Sequence, residues 1–191
     1  MSRSIFALEV CLRADRAPGL IDALRADIFA HPEIVGRDDK WRFYRVCAQR
    51  LLAHLPMIER GCWDFFDDDA RARRDYDMWF KGMTTEEGAR QEPSAGGDPY
   101  RPEPRYLTFT MAFTLVTGTP SERAMAALCE VPEHALWLRE TFAKLLEGMS
   151  VISFASVESD VVYLIPRDDS YALTPMDLSH AKFEYLRVLS G

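Results

Sequence analysis

Carboxylates are the chemistry-bearing groups that this 191-residue sequence packs most densely. Asp64 and Asp67-Asp68-Asp69 form its tightest acidic cluster, and carboxylates so close together can take up a hard cation such as calcium or magnesium. The run has neither the alternating spacing nor the glycine of an EF-hand loop, and it serves equally as a helix start favoured by the helix dipole. Glu158 and Asp160 fall on one face of an extended stretch, where paired acids can share a proton with split pKa values. Two acids on the solvent side of a sheet are the structural alternative.

Other catalytic constellations are missing from the sequence. His31, His54, His134 and His180 show no His-x-x-x-His or His-Glu pairing on a helical face. Cys11, Cys47, Cys62 and Cys129 are widely spaced with no Cys-x-x-Cys pair, so they read as reduced, mostly buried thiols and not as a zinc set. There is no Gly-x-Ser-x-Gly nucleophile elbow. Gly96-Gly97 does not follow a strand and open a helix, as a phosphate loop must. The reading assigns no catalytic residue, no metal ligand and no cofactor.

Aromatic residues are the second excess. Trp63, Phe65, Phe66, Tyr76, Trp79 and Phe80 crowd into a segment broken by charge. Aromatics left at a surface carry much of the energy of protein–protein binding, so these six are the candidate partner-binding residues. Burial in a core is the competing role for each.

The elements that must position these groups follow from periodicity. Ile5–Arg13 alternates, with Phe6, Leu8, Val10 and Leu12 on one face and Glu9 and Arg13 on the other, which predicts a half-buried strand. Pro18 opens a helix carrying Ile21, Leu24 and Ile28, closed by Pro32. Trp41, Tyr44, Ala48, Leu51, Leu52 and Leu55 recur at helical spacing after Asp38-Asp39, and Pro56 ends that helix. Gly61 reads as a turn, followed by a helix from Asp67 to Phe80.

Residues 83–105 contain four prolines and three glycines without apolar periodicity, the composition of a surface loop or disordered connector. They separate a helix-rich first half (1–82) from an α/β second half (106–191). The lone N-terminal strand needs a partner beyond this loop, because a single strand is not stable. The chain is therefore read as one domain.

Tyr106–Thr117 is a strand with Leu107, Phe109, Met111, Phe113 and Leu115 directed toward a helical layer. Its Thr-rich face (Thr108, Thr110, Thr114) suits solvent or a partner. Thr119-Pro120-Ser121-Glu122 opens a helix, interrupted at Pro132 and resumed through Phe142, Leu145, Leu146 and Met149 to a stop at Gly148. In Val151–Ile165, Val151, Ala155, Val157, Val161, Tyr163 and Ile165 share one side of a strand, with Ser156, Glu158 and Asp160 on the other. A polar turn over 166–170 and a Thr174-Pro175 helix start complete the chain. The helices between the last two strands allow a parallel crossover or insertion of the N-terminal strand between them. The expected fold is α+β, with three or four strands and helices packed on one face.

Composition excludes several function classes. A formal charge of −7 lacks the clustered cations that displace counterions from nucleic acid or hold an anionic membrane surface. No run of about 18 apolar residues spans a bilayer, and the alternating N-terminus is a strand and not a signal peptide. A cytoplasmic location is expected.

The run ending in Pro166, with its acidic turn, Leu173-Thr174, a following acid and Leu178, resembles the C-terminal signature of an uncharacterised bacterial and plastid domain family. That family includes the plant fluctuating-light acclimation protein. The strand YLTFTMAFTLVT lies where the family has a tyrosine-led strand, and the resemblance extends over Tyr106–Leu189. Leu164 stands where the family has tryptophan, and Arg74-Asp75-Tyr76-Asp77 replaces its serine–lysine–phenylalanine run. The resemblance implies an accessory role and supplies no catalytic residues. A non-enzymatic adaptor that binds another protein through Trp63–Phe80 or the Thr-rich strand face is the first expectation. A small metal-dependent or acid–base enzyme using the clustered carboxylates, or a ligand-sensing regulatory domain, are the alternatives.

Overall fold

Eleven alternating residues, Arg3–Arg13, form β1, the central strand of a five-stranded antiparallel sheet. The computed structural model describes residues 2–31, 36–84, 103–165 and 172–191. The elements that follow are α1 (Pro18–Ala30), α2 (Arg37–Ala53), β2 (Ile58–Phe66), α3 (Asp69–Thr84), β3 (Tyr106–Val116), α4 (Pro120–Cys129), α5 (Arg139–Glu147), β4 (Val157–Ile165), α6 (Pro175–Leu178) and β5 (Arg187–Val188). Strand order is β4-β3-β1-β2-β5, and every pairing is antiparallel.

Two units share one plan. β1 leads through α1 and α2 to its antiparallel neighbour β2; β3 leads through α4 and α5 to its antiparallel neighbour β4. Their first strands pair along their whole length at the centre, with Ala7 opposite Ala112. The two arrangements that the order of elements allows, a parallel crossover and β1 inserted between β3 and β4, are both replaced by this one. An antiparallel return needs only that each helix pair bring the chain back along the strand it left.

The first face of the sheet carries the main core. Phe6, Leu8, Val10 and Leu12 of β1 and Leu107, Phe109, Met111, Phe113 and Leu115 of β3 are buried there with Leu24, Tyr44, Leu51, Met125, Phe142 and Leu145 from the helices. At about 25 cal/mol per Å² of apolar surface removed from water, this layer is the principal source of stability.

Helices cover both faces, not one. α3 lies against β1 and β3 on the second face, where the segment from Leu173 to Leu186 packs a smaller cluster of Leu173, Leu178, Phe183 and Leu186 on Cys11 and Tyr106. The Thr-rich face of β3 is consequently buried: Thr108 and Thr110 are 1% and 2% exposed. Threonine marks a face that can pack or be wetted, and the elements returning over it decide which.

Two further strands were hidden. β2 occupies the stretch around Gly61 where a turn is expected, because one extra residue at Glu59 breaks the alternation between Ile58 and the first-face positions 61, 63 and 65, and the first of those is glycine. Gly61 itself falls on the core side, opposite Val10. A Cβ at Gly61 would overlap the Phe142 ring and lie 3.0 Å from the Glu9 carbonyl, so the ring of α5 fills the place of a side chain. β5 is two residues long, too short for any periodic signal.

β4 also differs in its facing. A register shift between Thr114 and Leu115 places one extra residue on β4, so Val157, Asp160, Val162 and Leu164 meet the first face while Val161, Tyr163 and Ile165 meet the second. The polar turn expected over 166–170, the closing Pro32 and most of the 83–105 loop lie outside the described residues. No helix among the described residues is long and apolar enough to cross a membrane.

Candidate functional site

On the second face, one cross-strand row runs over four strands: Tyr163 opposite Thr110, Thr110 opposite Glu9, and Glu9 opposite Cys62. All four line the floor of a cavity of about 400 Å³. Asp64 and Ile165 extend the floor, Met78 and Trp79 of α3 form one wall, and Lys182 and Tyr185 of the C-terminal segment form the other. The walls meet where the Trp79 and Tyr185 rings pack edge to face, 6.1 Å between centroids.

The C-terminal wall is held at both ends. Leu173 and Tyr106 exchange two backbone hydrogen bonds of 2.8 Å. Thr174 and Asp177 form a capping box at the start of α6. At the far end the Leu189 amide donates to the Glu59 carbonyl, the Ser190 amide to that of Trp137, and the Arg139 amide to that of Ser190. The segment between is a strap that crosses the sheet and sets Tyr185 over Glu9.

Glu9 is the chemical centre of the cavity. It is 2% exposed, and its Oε2 accepts a 2.8 Å hydrogen bond from the Tyr185 hydroxyl. Its Oε1 is buried with no hydrogen-bond partner among the described residues. An unmet buried acceptor costs free energy that folding must otherwise supply. Burial pushes the Glu9 carboxyl above its ordinary value, and the hydroxyls of Tyr185, Thr108 and Thr110, together with the Lys182 charge, only partly offset that. Burial likewise raises the Tyr185 phenol, with Glu9 adding to the effect, and raises the Cys62 thiol to about 12. Asp64 is raised by burial and by Asp75, against the pull of Arg71. Lys182 is lowered by burial, partly offset by Glu9.

The acidic run does not gather into one site. Asp68 accepts from the Arg71 amide at 2.7 Å as a helix cap, Asp69 pairs with Arg73 and Arg3, and only Asp64 reaches the cavity. Glu158 pairs with Arg3. Asp160, instead of facing solvent beside it, is held beneath the first-face helices by Lys40, by the Tyr44 hydroxyl at 3.0 Å and by His31 Nε2 at 3.3 Å. Burial pushes Asp160 up, but the bonds from His31, Lys40 and Tyr44 outweigh it and the carboxyl lies below its ordinary value. Among the described residues no three His, Cys, Asp or Glu side chains are placed to hold a metal ion.

The six aromatics divide between the faces. Trp63 and Phe65 pack against the first-face core, with the Trp63 indole donating to the Leu136 carbonyl at 3.1 Å. Phe66 lies under the Arg71 guanidinium, 3.3 Å from its ring centre. These three share a second depression with Trp137, Cys129 and Glu130. Tyr76 stacks on Phe80 along α3, and Trp79 alone of the six lines the Glu9 cavity.

Glu9, Cys62, Lys182 and Tyr185 were absent from the candidates read in the sequence. The usable signal was Glu9 itself, a lone acid between Ile5, Ala7 and Cys11 on one face of β1. Comparison with protein-family models, curated proteins and solved structures finds no match.

Proposed function

We propose that this protein is a non-enzymatic ligand-sensing regulatory protein that takes a small molecule into the Glu9 cavity. The observation that carries this reading is the unpartnered Oε1 of a buried carboxyl group, Glu9, lining an otherwise largely apolar cavity of about 400 Å³. That volume lies in the range of small-molecule sites, which pair apolar walls with a few directed polar groups. α3 and the strap wall the cavity without belonging to the sheet, so they are the elements through which occupancy reaches the surface.

A thermal-shift screen tests the reading. A ligand that binds only the folded chain raises Tm by mass action. Met78 is 59% exposed, so Met78→Trp preserves the fold while crowding the cavity wall. Hits that raise Tm in the wild type and fail in Met78→Trp support the site; hits unaffected by the substitution place binding elsewhere.

Adaptor activity is a second reading, favoured by the outer edge of β2. β5 pairs only with Arg60 and Gly61, and Trp63, Phe65 and Phe66 border the adjoining depression. An extended peptide adding to that edge is the partner such a surface suits. Co-purification of a partner that is lost on Phe66→Asp supports it, and a partner retained by that variant opposes it.

A further inference from the structure

We propose that the ligand of the Glu9 cavity is an organic cation, a primary ammonium or amidinium on an aromatic or alkyl body, with its head at Glu9 and Asp64 and its body between Trp79 and Tyr185. This inference rests on the ligand-sensing reading.

The buried Oε1 of Glu9 has no partner among the described residues; once the carboxyl has given up its proton that oxygen accepts only, and an ammonium or amidinium supplies the N–H donors it then requires. Asp64 places a second acid on the same floor. Trp79, Tyr163 and Tyr185 present aromatic surface around it, and a cation beside an aromatic face gains further attraction in a desolvated site. Met78 and Ile165 complete an apolar lining suited to the body of the molecule. The chain's formal charge of −7 draws cations toward it at long range.

Every charged or titratable group facing Glu9 bears on this choice. β1 contributes Cys11, β2 contributes Cys62 and Asp64 with Arg60 farther along the same face beside Cys11, β3 the Thr108 and Thr110 hydroxyls, and β4 the Tyr163 phenol. α3 brings uncharged Met78 and Trp79, with Arg71 and Asp75 acting on Asp64. The strap brings Tyr185 and Lys182, the one base among the described lining residues. An anion entering the cavity would meet Asp64 and would hold Glu9 in its protonated form, whereas a cation is matched by both acids once Glu9 ionises.

Binding has a proton consequence. Burial favours the protonated Glu9 carboxyl. When the cation arrives, the Glu9 O–H bond breaks, its proton passes to the buffer, and the carboxylate accepts an N–H from the ligand. No electrons are exchanged.

Calorimetry on the full chain with 2-phenylethylammonium, 2-phenylethanol and phenylacetate separates the possibilities. The ammonium compound is expected to bind at least about tenfold tighter than the other two. In buffers of differing ionisation enthalpy it should release up to about one proton per ligand at a pH where Glu9 is protonated. Glu9→Gln and, as a second variant, Asp64→Asn should each weaken the ammonium compound about tenfold while leaving 2-phenylethanol unchanged. Equal or tighter binding of the alcohol, tighter binding of phenylacetate through Lys182, or no binding of the ammonium compound overturns the cation assignment. The cavity reading itself falls only if screening yields no ligand sensitive to Met78→Trp.

Discussion

Glu9 contributes an acid to a face that is otherwise Ile5, Ala7 and Cys11, and the sheet buries it fully. Because its folded pKa lies above the unfolded value of about 4.3, the native state keeps a proton that the unfolded chain has lost. Its contribution to stability is therefore present at acid pH and declines as pH rises through the folded value. Glu9→Gln should remove that decline and raise stability at pH 7 by on the order of 1 kcal/mol, measured as urea midpoint against pH. Asp160 has the opposite sign: its lowered pKa gives stability that is present above about pH 3.9 and lost as pH falls through the folded value. Asp160→Asn should cost about 1–3 kcal/mol at pH 7 and flatten the acid limb of the same titration. Both acids were visible in the sequence as polar positions in strands. Their surroundings were not, since Glu9 is enclosed by α3 and the strap, and Asp160 reaches Lys40, Tyr44 and His31 only because a bulge turns β4 by one residue.

At the scale of elements, long periodic segments were legible. β1, α2 and β3 follow from the alternation of Phe6–Leu12, the stripe ending at Leu51 and the run Leu107–Leu115, each decided by local period. β2 was not, because its core-side position 61 is glycine and the ring that completes it comes from Phe142, more than eighty residues away. Gly61→Ala should accordingly cost about 1–3 kcal/mol through overpacking, read from the urea midpoint. Thr119 and Thr174 were both recognisable as helix starts, and both side chains cap. The second cap has a consequence for the cavity, since it fixes the entry of the strap. Thr174→Ala should lower stability by about 1 kcal/mol and speed hydrogen exchange in residues 173–186 more than in β1 or β3.

Across the whole molecule, two β-α-α-β units join at their first strands and place four helices on one face. That leaves the second face to be closed by α3 and the strap, elements drawn from different parts of the chain. Composition and periodicity gave an α+β chain with one sheet, but the cavity depends on which segments return over the Thr-rich face, a long-range outcome that no local pattern encodes. In the proposed function this cavity, and not the Trp63–Trp137 depression, receives the ligand. Chemical-shift mapping with a thermal-shift hit is the most direct test. Perturbations should concentrate on Glu9, Cys62, Thr110, Tyr163, Trp79 and Tyr185, with Trp63 and Trp137 unmoved; perturbations confined to Trp63, Phe65 and Trp137 would contradict binding at the Glu9 cavity.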